Sequence, residues 1–281
     1  MISIVTAAYN ASAYIGRAIQ SVQSQSLKDW ELVVVDDGST DNTSDIVKAY
    51  AEEDSRIKLI ILDENVGAGL ARREALKHIK GEYTTFIDSD DYYKEDCLET
   101  LLGYMKKYDV DIVSQGYISV TEGGDVIRAK IPRKVIQVGP AKFQPNKEDT
   151  KRFLNMMLVK SHLWEKVEYS ARRYNEDTST LVQILFWARN IMLIDYAGYF
   201  YVQRPDSLGH SAGKFRILLH KTLCIKDLAE FFTSVGWDHL SNDVEFIKHY
   251  QQVLKTCTLE DKARYHKELE ELNSYYKTLK K

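Results

Sequence analysis

Four short apolar runs, at residues 2–6, 30–35, 57–62 and 83–87, each give way to a turn and then to a stretch with helical spacing. The run Trp30-Glu31-Leu32-Val33-Val34-Val35 is apolar almost without a break, as expected of a strand covered on both faces in a parallel sheet. Between the runs, Ile15, Ile19 and Val22 fall on one helical face behind Ser12, a residue suited to capping it. Ile46, Val47 and Tyr50 form the apolar stripe of a helix over 45–53, and a third helix over 67–80 is closed by Gly81. A fourth helix is expected over 95–107 and a fifth strand over 110–113. Repeated βα units predict an α/β fold with a Rossmann-like, mainly parallel sheet flanked by helices. Ligands of such sheets collect beyond the carboxyl ends of the strands.

The pattern changes near Gln115. Residues 117–120 and 126–130 flank Thr121-Glu122-Gly123-Gly124-Asp125, the composition of a hairpin. All four prolines lie from Pro132 onward. Helices are expected over 152–159 and 177–189, and again from Ile217 to the end, with Leu218, Leu219, Leu223, Leu228 and Phe231 among the apolar positions. The changes divide the chain into 1–115, 116–215 and 216–281.

With 281 residues, 44% of them hydrophobic and 28% charged, the chain can bury a sizeable core and has ordinary globular composition. A net charge of −3 speaks against general nucleic-acid binding, and an anionic ligand would need local cations or a metal. Cys97, Cys224 and Cys257 are scattered, with no pair spaced for zinc, which points to a reducing compartment. The opening Ile2-Ser3-Ile4-Val5 lacks the charged and apolar regions of a signal peptide, and no apolar run has the length of a membrane span. The expected location is the cytoplasm.

Chemistry concentrates where two strands end. Asp88-Ser89-Asp90-Asp91 follows Tyr83-Thr84-Thr85-Phe86-Ile87, and side chains two apart on a strand share a face. Carboxylates held that close repel unless a cation intervenes, and Mg²⁺-type sites pair one or two carboxylates with substrate phosphates. Helix capping is the competing use of such aspartates. Asp36-Asp37 occupies the equivalent place after the second strand and can accept hydrogen bonds from a base or ribose, although Asp36-Asp37-Gly38-Ser39 also suits a tight turn. Asn65-Val66-Gly67-Ala68-Gly69-Leu70-Ala71-Arg72 opens a helix at which Arg72 could meet phosphate, unless it is simply a solvated helix residue.

Val5-Thr6-Ala7-Ala8-Tyr9-Asn10, Val35-Asp36-Asp37-Gly38-Ser39-Thr40, the segment from Asn65 to Arg72 and Asp88-Ser89-Asp90-Asp91 stand in the order seen in family 2 glycosyltransferases. The chain resembles a bacterial member of that family, with the GT-A fold, most strongly over about its first 115 residues. The resemblance implies inverting transfer of a hexosyl or N-acetylhexosaminyl group from a nucleotide-diphosphate-sugar donor, a UDP-sugar being favoured. The acceptor would be a hydroxyl of a glycan or lipid-linked molecule in bacterial surface polysaccharide assembly. At matching motif positions Ala7, Tyr9, Asp37 and Arg72 would contact the nucleotide, Asp88 would lie near its ribose, and Asp90 would be the principal ligand of Mn²⁺ or Mg²⁺. Ala7-Ala8 stand where the family often has a proline before the Tyr-Asn pair, which removes no functional group.

The resemblance further assigns Asp177, in Tyr174-Asn175-Glu176-Asp177-Thr178, as general base, against the plainer reading that it caps a helix. Arg204 would close over the diphosphate and His210 would reach the metal, a lone loop histidine being otherwise simply exposed. Residues 1–115 would then bind the donor, 116–215 the acceptor, and 216–281 add helices. Those helices either cover the acceptor part or present Tyr275-Tyr276-Lys277 and Lys280-Lys281 for peripheral contact with the inner face of the membrane. Two other classes compete: a catalytically inactive nucleotide-sugar-binding module, and a nucleotidyltransferase. The latter would want glycines and cations where Thr6 to Asn10 stand.

Overall fold

The structure is a computed structural model and describes residues 1–131, 135–138, 154–169, 176–204, 213–236 and 240–279. The strands are β1 (Ile2–Ala8), β2 (Trp30–Asp36), β3 (Ile57–Ile61), β4 (Tyr83–Phe86), β5 (Tyr92–Tyr93), β6 (Ile112–Thr121), β7 (Val126–Lys130), β8 (Val135–Val138), β9 (Met157–Lys160) and β10 (Asn190–Gln203). The helices are α1 (Ile15–Gln23), α2 (Thr43–Glu53), α3 (Ala68–Leu76), α4 (Cys97–Tyr108), α5 (Glu176–Trp187), α6 (Lys214–Ser234), α7 (Leu240–Thr256), α8 (Leu259–Arg264) and α9 (His266–Thr278).

All the strands join one sheet in the order β3-β2-β1-β4-β9-β6-β10-β5, with β7 beside β6 and β8 beside β10. β3, β2, β1 and β4 are parallel, and the register brings Ala8 of β1 opposite Asp36 of β2. Their carboxyl ends therefore open on one edge. β6 and β10 are also parallel, whereas β9, β5, β7 and β8 run antiparallel to their neighbours. Parallel neighbours need a crossover connection, and α1, α2 and α3 supply one between each pair of successive strands from β1 to β4. Among the described residues no α-helix separates β6, β7, β8 and β9, and there the sheet becomes mixed.

The fold is the expected α/β type, with local departures. Ser12 does not cap α1; its amide donates to Asp41 instead, and the helix starts after Tyr14 with Ile15, Ala18, Ile19 and Val22 buried. Residues 157–159, expected to be helical, form β9 between β4 and β6. The short run Met157-Leu158-Val159 fits either state by pattern, and its two neighbours decide. Nor does the chain break at Gln115. β6 continues through Gly116, where a side chain would collide with the carbonyl of Lys130 on β7. Gln115 ties elements together, with Oε1 accepting from the amide of Gly198 (2.7 Å) and Nε2 donating to Sγ of Cys97 (3.2 Å).

The chain divides into two compact units, Met1–Ala171 with Gln183–Arg204, and Arg172–Val182 with Pro205–Lys281. The first holds the sheet and a core that includes Ile4, Val34, Trp30, Leu101 and Tyr199. The second has its own core of Leu219, Leu223, Phe246, Tyr250, Val253 and Leu272. Tyr275 and Tyr276, candidates for a membrane-facing tip, pack onto that core: Tyr275 meets Phe246 edge-on at 4.7 Å, and Tyr276 lies 5.0 Å from Tyr250. Among the described residues no helix is long and apolar enough to cross a membrane.

Candidate active site

Side chains of the loops after β1 and β2 lock the two loops together. Asn10, with φ of 49°, accepts the Thr40 amide on Oδ1 (2.8 Å), and its own amide donates to Oγ of Ser39 (2.9 Å). Asp36 is buried and forms the turn that its sequence suited, accepting from the Ser39 amide (3.0 Å) and from the Ser44 hydroxyl. Asp37 reaches further. Its oxygens accept the amides of Val66 (2.8 Å) and Gly67 (2.9 Å), so it holds the loop leading into α3. Gly38 makes this approach possible: its φ is +70°, and an added Cβ would lie 2.7 Å from the carbonyl carbon of Glu64. Ala7 is partly buried, while the Tyr9 ring is 49% exposed and offers a flat face at the same strand edge.

Beyond β4 the acidic run is held on several sides. Arg72, from α3, donates to Oδ1 of Asp88 at 2.9 Å, and Asn155 donates through Nδ2 to Oδ2 at 2.9 Å. Asp90 pairs with Arg204 at 2.6 Å, and its backbone carbonyl accepts from Arg17 at 2.7 Å. The Arg204 guanidinium stands 4.6 Å above the Tyr14 ring. Asp91 faces inward, accepting from the Tyr199 hydroxyl (2.6 Å) and the Val202 amide (2.8 Å). β5 pairs with Tyr199 and Phe200 of β10, so the acidic loop is anchored at both ends, by β4 and by β5.

Electrostatics follow from this crowding. Burial, and then the neighbouring Asp88, push the Asp90 carboxyl above the usual range despite Arg204. Asp91 is pushed up well beyond that range by burial and by both neighbouring aspartates, against its bonds from Tyr199 and Val202. Burial and the Asp91 charge raise the Tyr199 hydroxyl in turn. The cluster thus combines hard oxygen donors with unfavourable negative charge, and both features suit a divalent cation.

One compact unit therefore brings together Ala7, Tyr9, Asp37, Arg72, Asp88, Asp90 and Arg204. Asp177 belongs to the other unit. It lies in the first turn of α5, one residue inside the helix rather than ahead of it, and its Oδ1 accepts the amide of Thr178 (2.8 Å). His210 lies outside the described residues. Asn155, Arg17 and Tyr14 escaped the sequence reading because no motif surrounds them. Asp91 stands inside the acidic string of the sequence, but nothing local says that it bonds to Tyr199.

The family model for glycosyl transferase family 2 matches residues 3–168, more than half of the chain and all of the β1-to-β4 edge just described. The chain belongs to glycosyl transferase family 2. Among curated relatives, this family 2 chain is 41% identical over 124 residues to TuaG of Bacillus subtilis (strain 168), a glycosyltransferase provisionally named for teichuronic acid biosynthesis. The match covers 44% of the chain and 49% of TuaG. WfgD of Escherichia coli is 36% identical over 135 residues, 48% of the chain and 53% of WfgD, and is named a UDP-Glc:alpha-D-GlcNAc-diphosphoundecaprenol beta-1,3-glucosyltransferase. The chain thus spans about half the length of these two relatives. Among solved structures, residues 1–349 of Staphylococcus aureus TarS in complex with UDP-GlcNAc align with a TM-score of 0.67 at 20% identity, covering 99% of the chain and 91% of TarS. That likeness establishes the GT-A fold.

Proposed function

We propose that the protein is an inverting glycosyltransferase that takes a sugar from a nucleotide-diphosphate donor, a UDP-sugar, and passes it to a hydroxyl of a glycan or lipid-linked acceptor. The reaction belongs to bacterial surface polysaccharide assembly, on the cytoplasmic side where such donors are made. The observation that carries the reading is the meeting of Asp88, Asp90, Arg72 and Arg204 at one strand edge. UDP-GlcNAc in TarS and the diphosphoundecaprenol acceptor in the name of WfgD support the donor and acceptor classes.

Tyr9 and Ala7 provide the surface for the base, and Asp37 shapes that surface through the loop that it holds. Arg72 and Asp88 face the nucleotide. Asp90, with Asp88 beside it, would hold Mn²⁺ or Mg²⁺, and His210 is the candidate further ligand. Among the described residues no three of His, Cys, Asp and Glu form a ligand group, so phosphate oxygens would complete the coordination. When bound, the ion supplies charge neutralisation for the departing diphosphate. Nε of Arg204 is buried with no acceptor among the described residues, and a diphosphate oxygen would supply one. Asp177 takes the proton of the acceptor hydroxyl as its oxygen attacks the anomeric carbon and the bond to the diphosphate oxygen breaks.

The test is release of nucleoside diphosphate from a panel of UDP-sugars with Mn²⁺, Mg²⁺ or chelator present. Asp90→Asn should abolish metal-stimulated donor binding. Asp177→Asn should keep donor binding and lose turnover by roughly 10²–10⁴-fold. Full activity in both variants would remove the mechanism. Release of pyrophosphate would point to nucleotidyl transfer instead, and binding without turnover to an inactive module.

A further inference from the structure

Asn155 has no part in the scheme above, yet it touches its central carboxylate. It sits in the 3₁₀ turn Leu154–Met156 and is only 8% exposed. Its Nδ2 donates both to Oδ2 of Asp88 (2.9 Å) and to the Tyr199 hydroxyl (2.7 Å). That hydroxyl donates onward to Asp91, so one short network joins half-buried Asp88 to buried Asp91 at the two ends of the acidic run. With Arg72 on the other oxygen, the Asp88 carboxylate is gripped from two directions and its remaining lone pairs have defined orientations.

The opposite side of the Asn155 amide is informative. Its Oδ1 is buried, with no hydrogen-bond partner among the described residues. Turning the amide over would set a carbonyl oxygen against a carboxylate oxygen, which is repulsive. The amide is therefore held with its N–H on Asp88.

We infer that Asn155 is a positioning residue of the donor site: it aims the Asp88 carboxylate at the nucleotide ribose and makes the enzyme read the ribose hydroxyls. The inference rests on the donor reading proposed above, in which Asp88 lies beside the ribose. Arg72 supplies charge at Asp88, and Asn155 supplies direction. Loss of the Asn155 N–H leaves Asp88 in place and free to turn, so affinity and hydroxyl discrimination fall together.

The experiment is calorimetric titration with UDP, 2′-deoxy-UDP and 3′-deoxy-UDP in the presence of Mn²⁺. It compares wild type, Asp88→Asn and Asn155→Asp, an isostere that exchanges the donor for an acceptor. Asn155→Ala, which brings in no second charge, carries the same comparison should the aspartate variant not fold. Wild type should prefer UDP over one deoxy form. The Asn155 variant should bind UDP roughly ten- to a hundredfold more weakly, the usual cost of removing an outer partner. It should also lose most of the deoxy discrimination at a temperature where circular dichroism shows the variant fully folded, whether or not its melting temperature falls. A lowered melting temperature with unchanged discrimination would make Asn155 merely structural and overturn the inference. If Asp88→Asn weakens binding and the Asn155 variants do not, the inference falls and the donor reading stands. If wild type binds no UDP, or Asp88→Asn changes nothing, the donor reading falls and takes the inference with it.

Discussion

Asp37 and Gly38 show how a two-residue string can carry several constraints. The carboxylate needs amides to hold, and the glycine lets the loop that bears them come close. An alanine at position 38 would need a left-handed backbone and would press its Cβ on Glu64 and Asn65. We therefore expect Gly38→Ala to destabilise the protein by about 1–3 kcal/mol in urea unfolding. Donor affinity should fall as well, because the displaced loop carries the Val66 and Gly67 amides that Asp37 holds. Unchanged affinity in a destabilised variant would show that the loop is irrelevant to the nucleotide.

Between elements, Asp111 is the principal polar tie beneath the mixed half of the sheet. It precedes β6 and accepts from the backbone and side chain of Arg189, ahead of β10, at 2.7–3.0 Å, and from Lys160 at the end of β9 at 3.2 Å. Burial alone would raise its carboxyl, but these bonds bring it down to about 2. The folded form thus holds this proton less tightly than the unfolded chain, whose aspartates titrate near ~3.9. Its stabilisation, on the order of 2 kcal/mol, is complete above about pH 5 and is lost as the pH falls toward about 2. Asp111→Asn should be less stable than wild type at neutral pH, with the gap closing in acid. Urea unfolding at a series of pH values checks this, and a gap independent of pH would refute it.

On the scale of the whole molecule, the donor residues and the proposed base belong to different compact units. Nucleotide binding should therefore survive changes at Asp177 that abolish turnover. The helical unit has its own core, closed by the last helix through Leu272, Tyr275 and Tyr276. Truncation at Ser274 should consequently lower the helical content and melting temperature of the protein, measured by circular dichroism. Lipid binding lost without any change in melting would instead favour a membrane-seeking tip. The chain passes between the units after Ala171, after Val182 inside α5, and after Arg204.

Much of the donor edge was legible in the chain because it is encoded locally. Strand runs, helical stripes and the strings around Asp36-Asp37 and Asp88-Ser89-Asp90-Asp91 place a strand end and its carboxylates within a few residues of one another. Periodicity and turn chemistry act over the same short range. What joins distant parts was not legible. Asp88 meets Asn155 across 67 positions and Asp91 meets Tyr199 across 108, and β9 is a strand only because β4 and β6 flank it. Those contacts depend on strand order and register, which are settled by the packing of the whole sheet and leave no periodic trace in any one segment.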